Sequence, residues 1–168
     1  MQTGCQIVSL GQSSQVTRSH LEYASCAWDP FTDCNIRKLE SVQHKAGRFQ
    51  RFVSRNYNWD ESGASIVEDL GWKTLEQRRK EHRLKMMFKV ASGQSGLPMS
   101  RYLDQETSRT TRHCLHEKCF VPPHCRTDTY RHSYFPKTIR EWNALPSDLV
   151  NSNSLDSFSA GLAKHLYD

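Results

Sequence analysis

The chain has little of what membrane passage or catalysis requires. No window approaches the roughly 18 consecutive apolar residues that a membrane-spanning helix needs. The stretch through Gln15 has neither a basic segment followed by an apolar core nor an Arg-rich amphipathic pattern, so no export or import signal is expected. A soluble, intracellular protein of the cytoplasm or nucleus is the expectation. There is no Asp-Asp pair, and the Asp and Glu residues are dispersed, which argues against a two-metal phosphoryl-transfer centre. Gly93-x-x-Gly96 lacks the Lys-Ser/Thr that completes a phosphate-binding loop. No cysteine sits in a context that would make it an activated nucleophile, so the chain reads as non-enzymatic, with no cofactor expected. Its hydrophobic fraction is also low, at 36% of 168 residues, yet four Trp and seven Phe favour a packed body over a disordered one.

What the chain does have is helical patterning. After the break at Pro30, Asp33 is a suitable N-cap, and Ile36, Leu39, Val42, Ala46, Phe49 and Val53 recur every three or four residues, predicting one apolar stripe on a long helix. A short helix from Ser62 through Ile66, Val67 and Leu70 should end at Gly71, where a left-handed residue is wanted. Thr74-x-x-Gln77 has the form of a capping box and opens a third helix, with Leu75, Leu84, Met87, Phe88 and Ala91 as core candidates and Gly93 as its stop. Residues 92–134, with their Gly, Pro, Ser, Cys and His, predict a long irregular connection. Pro136 suits the first position of a fourth helix ending before Pro146, and Ser154 should cap a last helix burying Leu155, Phe158, Leu162 and Leu166. The expected fold is therefore mainly α, about five helices in a small bundle. A loose leader over 1–15 should precede a single helical domain over 16–168.

Net charge is +5, and the charge is clustered. Between Asp33 and Arg55 stand Arg37, Lys38, Lys45, Arg48, Arg51 and Arg55 against Asp33 and Glu40. Most of these cations share with Ser41 a helix side opposite the apolar stripe. From Trp72 to Ala91 the cations are Lys73, Arg78, Arg79, Lys80, Arg83, Lys85 and Lys89 against Glu76 and Glu81. Arg78, His82, Lys85 and Lys89 lie on one side there, with Arg79, Lys80 and Arg83 on its flanks. Such faces bind nucleic-acid phosphates with steep salt dependence. They also serve as ordinary solvated faces whose aliphatic stems shield the core, and composition alone favours that reading. RNA or DNA is the candidate partner, through Arg37, Lys45, Arg48, Arg51, Arg55, Arg78, His82, Lys85 and Lys89.

Cys5, Cys26, Cys34, Cys114, Cys119 and Cys125 are expected to be free thiols in a reducing compartment. The run His113-Cys114-x-His116-x-x-Cys119, with His124-Cys125 and His132, holds enough soft donors for zinc, but its spacing fits none of the common ligand pairs. Unconnected loop residues are the favoured reading, and no metal site is assigned. Tyr23, Trp28, Trp59, Trp72 and Trp142 could stack bases, but each lies beside apolar positions or a Pro break, which favours packing.

Several blocks, in order, resemble a known family: Val16-Thr17-Arg18-Ser19-His20-Leu21-Glu22-Tyr23-Ala24-Ser25-x-x-Trp28-Asp29-Pro30, then Ile36-x-x-Leu39-Glu40-x-Val42-Gln43-x-x-Ala46, then Ser62 through Leu70-Gly71-Trp72-x-x-Leu75-Glu76-x-Arg78-Arg79, and finally Phe135 to Pro146. The family is that of jockey-like non-LTR (LINE-type) retrotransposon reverse transcriptases, and the likeness is to their C-terminal, thumb-side region after the palm. It runs from about Val16 to Leu166. In that family the catalytic Tyr-x-Asp-Asp motif and the endonuclease lie upstream, so no catalytic residue carries over. The resemblance implies a helical accessory region that helps hold template RNA or primed duplex. Ser19 stands where the family usually has Pro, and the leader through Gln15 differs from the family's upstream helices. The expected function is that of a non-catalytic, retrotransposon-derived fragment, either a relic or a module with residual RNA or DNA binding. A helical protein-interaction module is the alternative, and a zinc-stabilised nucleic-acid binder a more distant one.

Overall fold

The computed structural model describes residues 19–56, 58, 60–98, 103–104 and 115–167. Among them, 63% are helical and none forms a strand, so the fold is mainly α. None of their helices is long and apolar enough to cross a membrane. The chain divides into two compact units, Met1–Arg79 and Lys80–Asp168. The leader 1–15 lies outside the described residues.

In the first unit, a left-handed Ala24 (φ 49°) turns the chain into the short helix α1, Ser25–Trp28. The indole Nε1 of Trp28 donates to the Tyr23 carbonyl at 2.6 Å. Helix α2, Asp33–Val53, starts one residue earlier than predicted: extended Thr32 occupies the N-cap, and Asp33 is the first helical residue. There its carboxylate complements the positive end of the helix dipole. Helix α3, Gly63–Asp69, is capped by Ser62, whose hydroxyl accepts from the Ser65 N–H at 3.1 Å. Gly71 takes the left-handed conformation expected of it (φ 64°), and the Trp72 N–H returns to the Val67 carbonyl at 2.9 Å. Helix α4, Leu75–Ala91, opens with the predicted reciprocal capping box. Thr74 N–H donates to Gln77 Oε1 at 3.1 Å, and Gln77 N–H donates to Thr74 Oγ1 at 3.2 Å.

The contact between α2 and α3 differs from the predicted stripe. Its buried α2 residues are Gln43 and Gly47, while Val42, Phe49 and Val53 are exposed by 38%, 59% and 37%. Two glycines explain the choice of side. A Cβ on Gly63 would lie 2.7 Å from Cβ of His44, and one on Gly47 would lie 3.3 Å from Cγ2 of Ile66, so the backbones approach where no side chain intervenes. Ile66, Val67 and Leu75 fill the interior of this unit. Gln43 fits because its Nε2 donates to the Lys73 carbonyl at 2.9 Å.

The second unit contains α5 (Asp128–Arg131), α6 (Tyr134–Asn143), α7 (Ser147–Val150) and α8 (Leu155–Tyr167), together with α4 from Lys80 onward. Its core joins Leu84, Met87, Phe88, Phe120, Trp142 and Phe158. Phe88 and Phe158 stack with centroids 4.5 Å apart. Ser154 caps α8 as expected, accepting from the Ser157 N–H at 3.1 Å, and Phe158 and Leu162 are fully buried. Helix α6 begins two residues before Pro136, which therefore occupies the third position rather than the first. The first-turn N–H groups have no intrahelical acceptor, so proline costs nothing there either. Among its described residues, the connection 92–134 is mostly irregular as predicted, but it contains α5 and contributes Leu103, Cys119 and Phe120 to the interior.

Candidate nucleic-acid interface

Helical geometry puts three different surfaces on α2. Gln43 and Gly47 face α3, the apolar stripe lies about 100° round the axis, and the cations occupy the remaining side. Arg37, Lys45 and Arg48 are exposed there, and Arg55, held left-handed (φ 58°) just past the helix end, is exposed as well. Among the described residues, no carboxylate forms an ion pair with any of these four. Arg51 lies nearer the packed side and is treated differently. Its Nη2 lies 2.7 Å from Asp69 Oδ2 and 3.5 Å from Glu61 Oε1, and the side chain is only 16% exposed. It ties α2 to the α3 region instead of presenting its charge outward.

The cations of α4 are largely consumed by the fold. Every residue from Arg78 to Ala91 is buried or partly buried, so this helix has no open basic face of the kind its composition suggests. Arg78 pairs with Glu22 at 2.7 Å, and Arg79, 1% exposed, donates through Nε to Asp29 Oδ1 at 2.8 Å. Arg83, 4% exposed, grips Glu141 in two places, Nη2 to Oε1 at 2.8 Å and Nε to Oε2 at 3.3 Å. A buried guanidinium needs such a partner, because the charge would otherwise be desolvated without compensation. His82 and Lys89 are partly buried, and Lys85 lies 3.9 Å from Glu81. The nine predicted contact residues thus separate into four open cations on and beside α2, two arginines bound to carboxylates, and three partly buried groups on α4.

These ion pairs also connect the sequence blocks. Glu22 and Asp29, from the Val16–Pro30 block, receive Arg78 and Arg79, which close the Ser62–Arg79 block. Trp142 and Asn143, from the Phe135–Pro146 block, hold the segment 115–120. The Trp142 indole donates to the Lys118 carbonyl at 3.0 Å, and its own carbonyl meets His116 Nε2 at 3.0 Å. Asn143, 4% exposed, donates from Nδ2 to the Phe120 carbonyl at 2.8 Å and accepts the Phe120 N–H on Oδ1 at 3.1 Å. Its amide therefore satisfies both backbone polar groups of Phe120. Sequence inspection missed this role, since nothing near Asn143 names a partner 23 residues away.

The Cys/His run is built into the same segment. His116 Nδ1 accepts the Lys118 N–H at 3.2 Å, which leaves the proton on Nε2 for the Trp142 carbonyl, so both ring nitrogens are committed to backbone groups. Cys119 is buried and its Sγ donates to the His116 carbonyl at 3.1 Å. Cys125 donates to the Pro123 carbonyl at 3.2 Å, and His124 is exposed. Among the described residues, no group of three or more His, Cys, Asp and Glu is placed to hold a metal ion; His113 and Cys114 lie outside them. Of the aromatic anchors, Trp142 is buried as expected and Trp72 partly so, but Tyr23 is 80% exposed and Trp28 39%, so packing does not account for those two. Trp59 is outside the described residues. Compared with protein-family models, with curated proteins and with solved structures, the chain matches none of them.

Proposed function

We propose that this chain is a non-catalytic module related to the C-terminal region of non-LTR retrotransposon reverse transcriptases, and that it contacts RNA or DNA through the outer side of α2. The observation that supports this reading is the group Arg37, Lys45, Arg48 and Arg55, exposed and without carboxylate partners among the described residues, beside arginines that the fold has neutralised elsewhere. Open cations on one helix side follow a phosphate backbone without reading bases, so the contact is sequence-tolerant. It belongs to the first unit alone.

Filter binding of single-stranded RNA and duplex DNA across a salt series tests the reading. Four phosphate contacts on a single strand give log K against log salt a slope of about −3. Absence of binding at low salt, or a flat dependence, overturns it. A second reading, a helical protein-interaction module, is favoured by a separate observation: the exposed Val42, Phe49 and Val53 on the same helix.

A further inference from the structure

The apolar residues of α2 that do not face α3 have a spacing of their own. Leu39, Val42, Ala46, Phe49 and Val53 alternate steps of three and four, the a/d pattern of a coiled-coil seam with period 3.5. Val42 and Phe49 are exposed by 38% and 59%, Val53 by 37%, and Leu39 and Ala46 are partly exposed. The seam spans about 20 Å of helix, close to four turns. Its two borders differ. On the side toward α3 stand Gln43, buried and bonded to Lys73, and the partly buried Gln50. On the open side stand Lys38 and Lys45, both exposed, with Arg48 beyond. The carboxylates of α2 lie elsewhere: Asp33 begins the helix, and Glu40 is turned to the inner side, accepting the Glu76 N–H at 3.0 Å.

We propose that this seam receives an amphipathic helix from a partner polypeptide, with aliphatic residues on its inner positions and Glu or Asp on the border facing Lys38 and Lys45. Charge decides the occupant. A second copy docking antiparallel would set Lys38 and Lys45 against the same lysines, and a parallel copy would set them against uncharged Gln43 and Gln50, so self-pairing gains no ion pair. An acidic border neutralises both lysines while the aliphatic residues cover Val42 and Phe49. The inference rests on the protein-interaction reading and does not require nucleic-acid binding.

The test is fluorescence anisotropy with a labelled designed peptide of about three heptads, carrying Leu at the a and d positions and Glu at e and g, against a version with Lys at e and g. The Glu peptide is expected to bind at least tenfold more tightly than the Lys peptide. Phe49→Asp is expected to weaken that binding at least tenfold with an unchanged thermal melt, and the Lys38→Glu/Lys45→Glu double variant to reverse the peptide preference. Equal binding of the two peptides overturns the proposal. So does Glu-peptide binding that survives Phe49→Asp, which would indicate attraction to the basic side alone. Sedimentation of the free protein as a dimer that Phe49→Asp dissociates would assign the seam to a second copy and also overturn it.

Discussion

At Asn143 one side chain does the work of a backbone partner. Both polar groups of the Phe120 peptide are buried and both are satisfied by the Asn143 amide, at 2.8 and 3.1 Å. Asn143→Leu keeps the approximate volume and leaves the Phe120 N–H and carbonyl unpaired. The expected loss is about 2–4 kcal/mol, since each stranded buried group costs about 1–3. Urea unfolding followed by tryptophan fluorescence measures it, and a loss below about 0.5 kcal/mol would show that Phe120 finds other partners. The contrast with Thr74 and Gln77 shows why one of these polar contacts was legible and the other was not. A capping box is written in four consecutive residues, and both of its bonds form. Asn143 is an ordinary polar residue at a helix end, and its role depends on how the connection 115–120 returns to α6, which no local pattern encodes. The two nitrogens of His116 were hidden for the same reason, and the histidine was therefore counted among possible metal donors.

Among the elements, α2 and α4 mark the limit of periodicity as a guide. The spacing along α2 identifies an amphipathic helix but not the side that meets α3. Gly47 and Gly63 settle that, because they allow a close crossing which a stripe of Val and Phe would not. Gly63→Ala places a methyl 2.7 Å from His44 Cβ, a fixed point on the facing helix, so the helices must separate. Overpacking of this kind costs about 1–3 kcal/mol. Gly47→Ala, with its nearest contact at 3.3 Å to a side-chain methyl of Ile66, is expected to cost less. Thermal melts of the two variants check the order, and a Gly47 variant less stable than the Gly63 variant would contradict it. In α4 the reverse error arises. The hydrophobic positions Leu75, Leu84, Met87 and Phe88 were legible and are buried. The arginines between them read as a solvated or phosphate-binding face, yet Arg79 and Arg83 are interior residues whose partners, Asp29 and Glu141, lie 50 and 58 positions away along the chain.

For the whole molecule, a net charge of +5 says less than where that charge is left uncompensated. The boundary between the two units falls within α4, between Arg79 and Lys80, and each unit buries one arginine of that helix against its own carboxylate. Arg51 and Arg78 are similarly engaged, which removes them from the pool available to phosphate. Of the two basic helices, the one left with an open cationic side among the described residues is α2. The central claim is therefore that nucleic-acid affinity resides there and not on α4. The most direct measurement compares RNA affinity at low salt for Arg37→Glu/Arg48→Glu with that for Lys89→Gln, with thermal melts confirming that both variants stay folded. The first is expected to lose at least about tenfold, through two reversed phosphate contacts, and the second to stay within about twofold of the parent. Unchanged affinity in the α2 double variant, or an equal loss from Lys89→Gln, would contradict the claim.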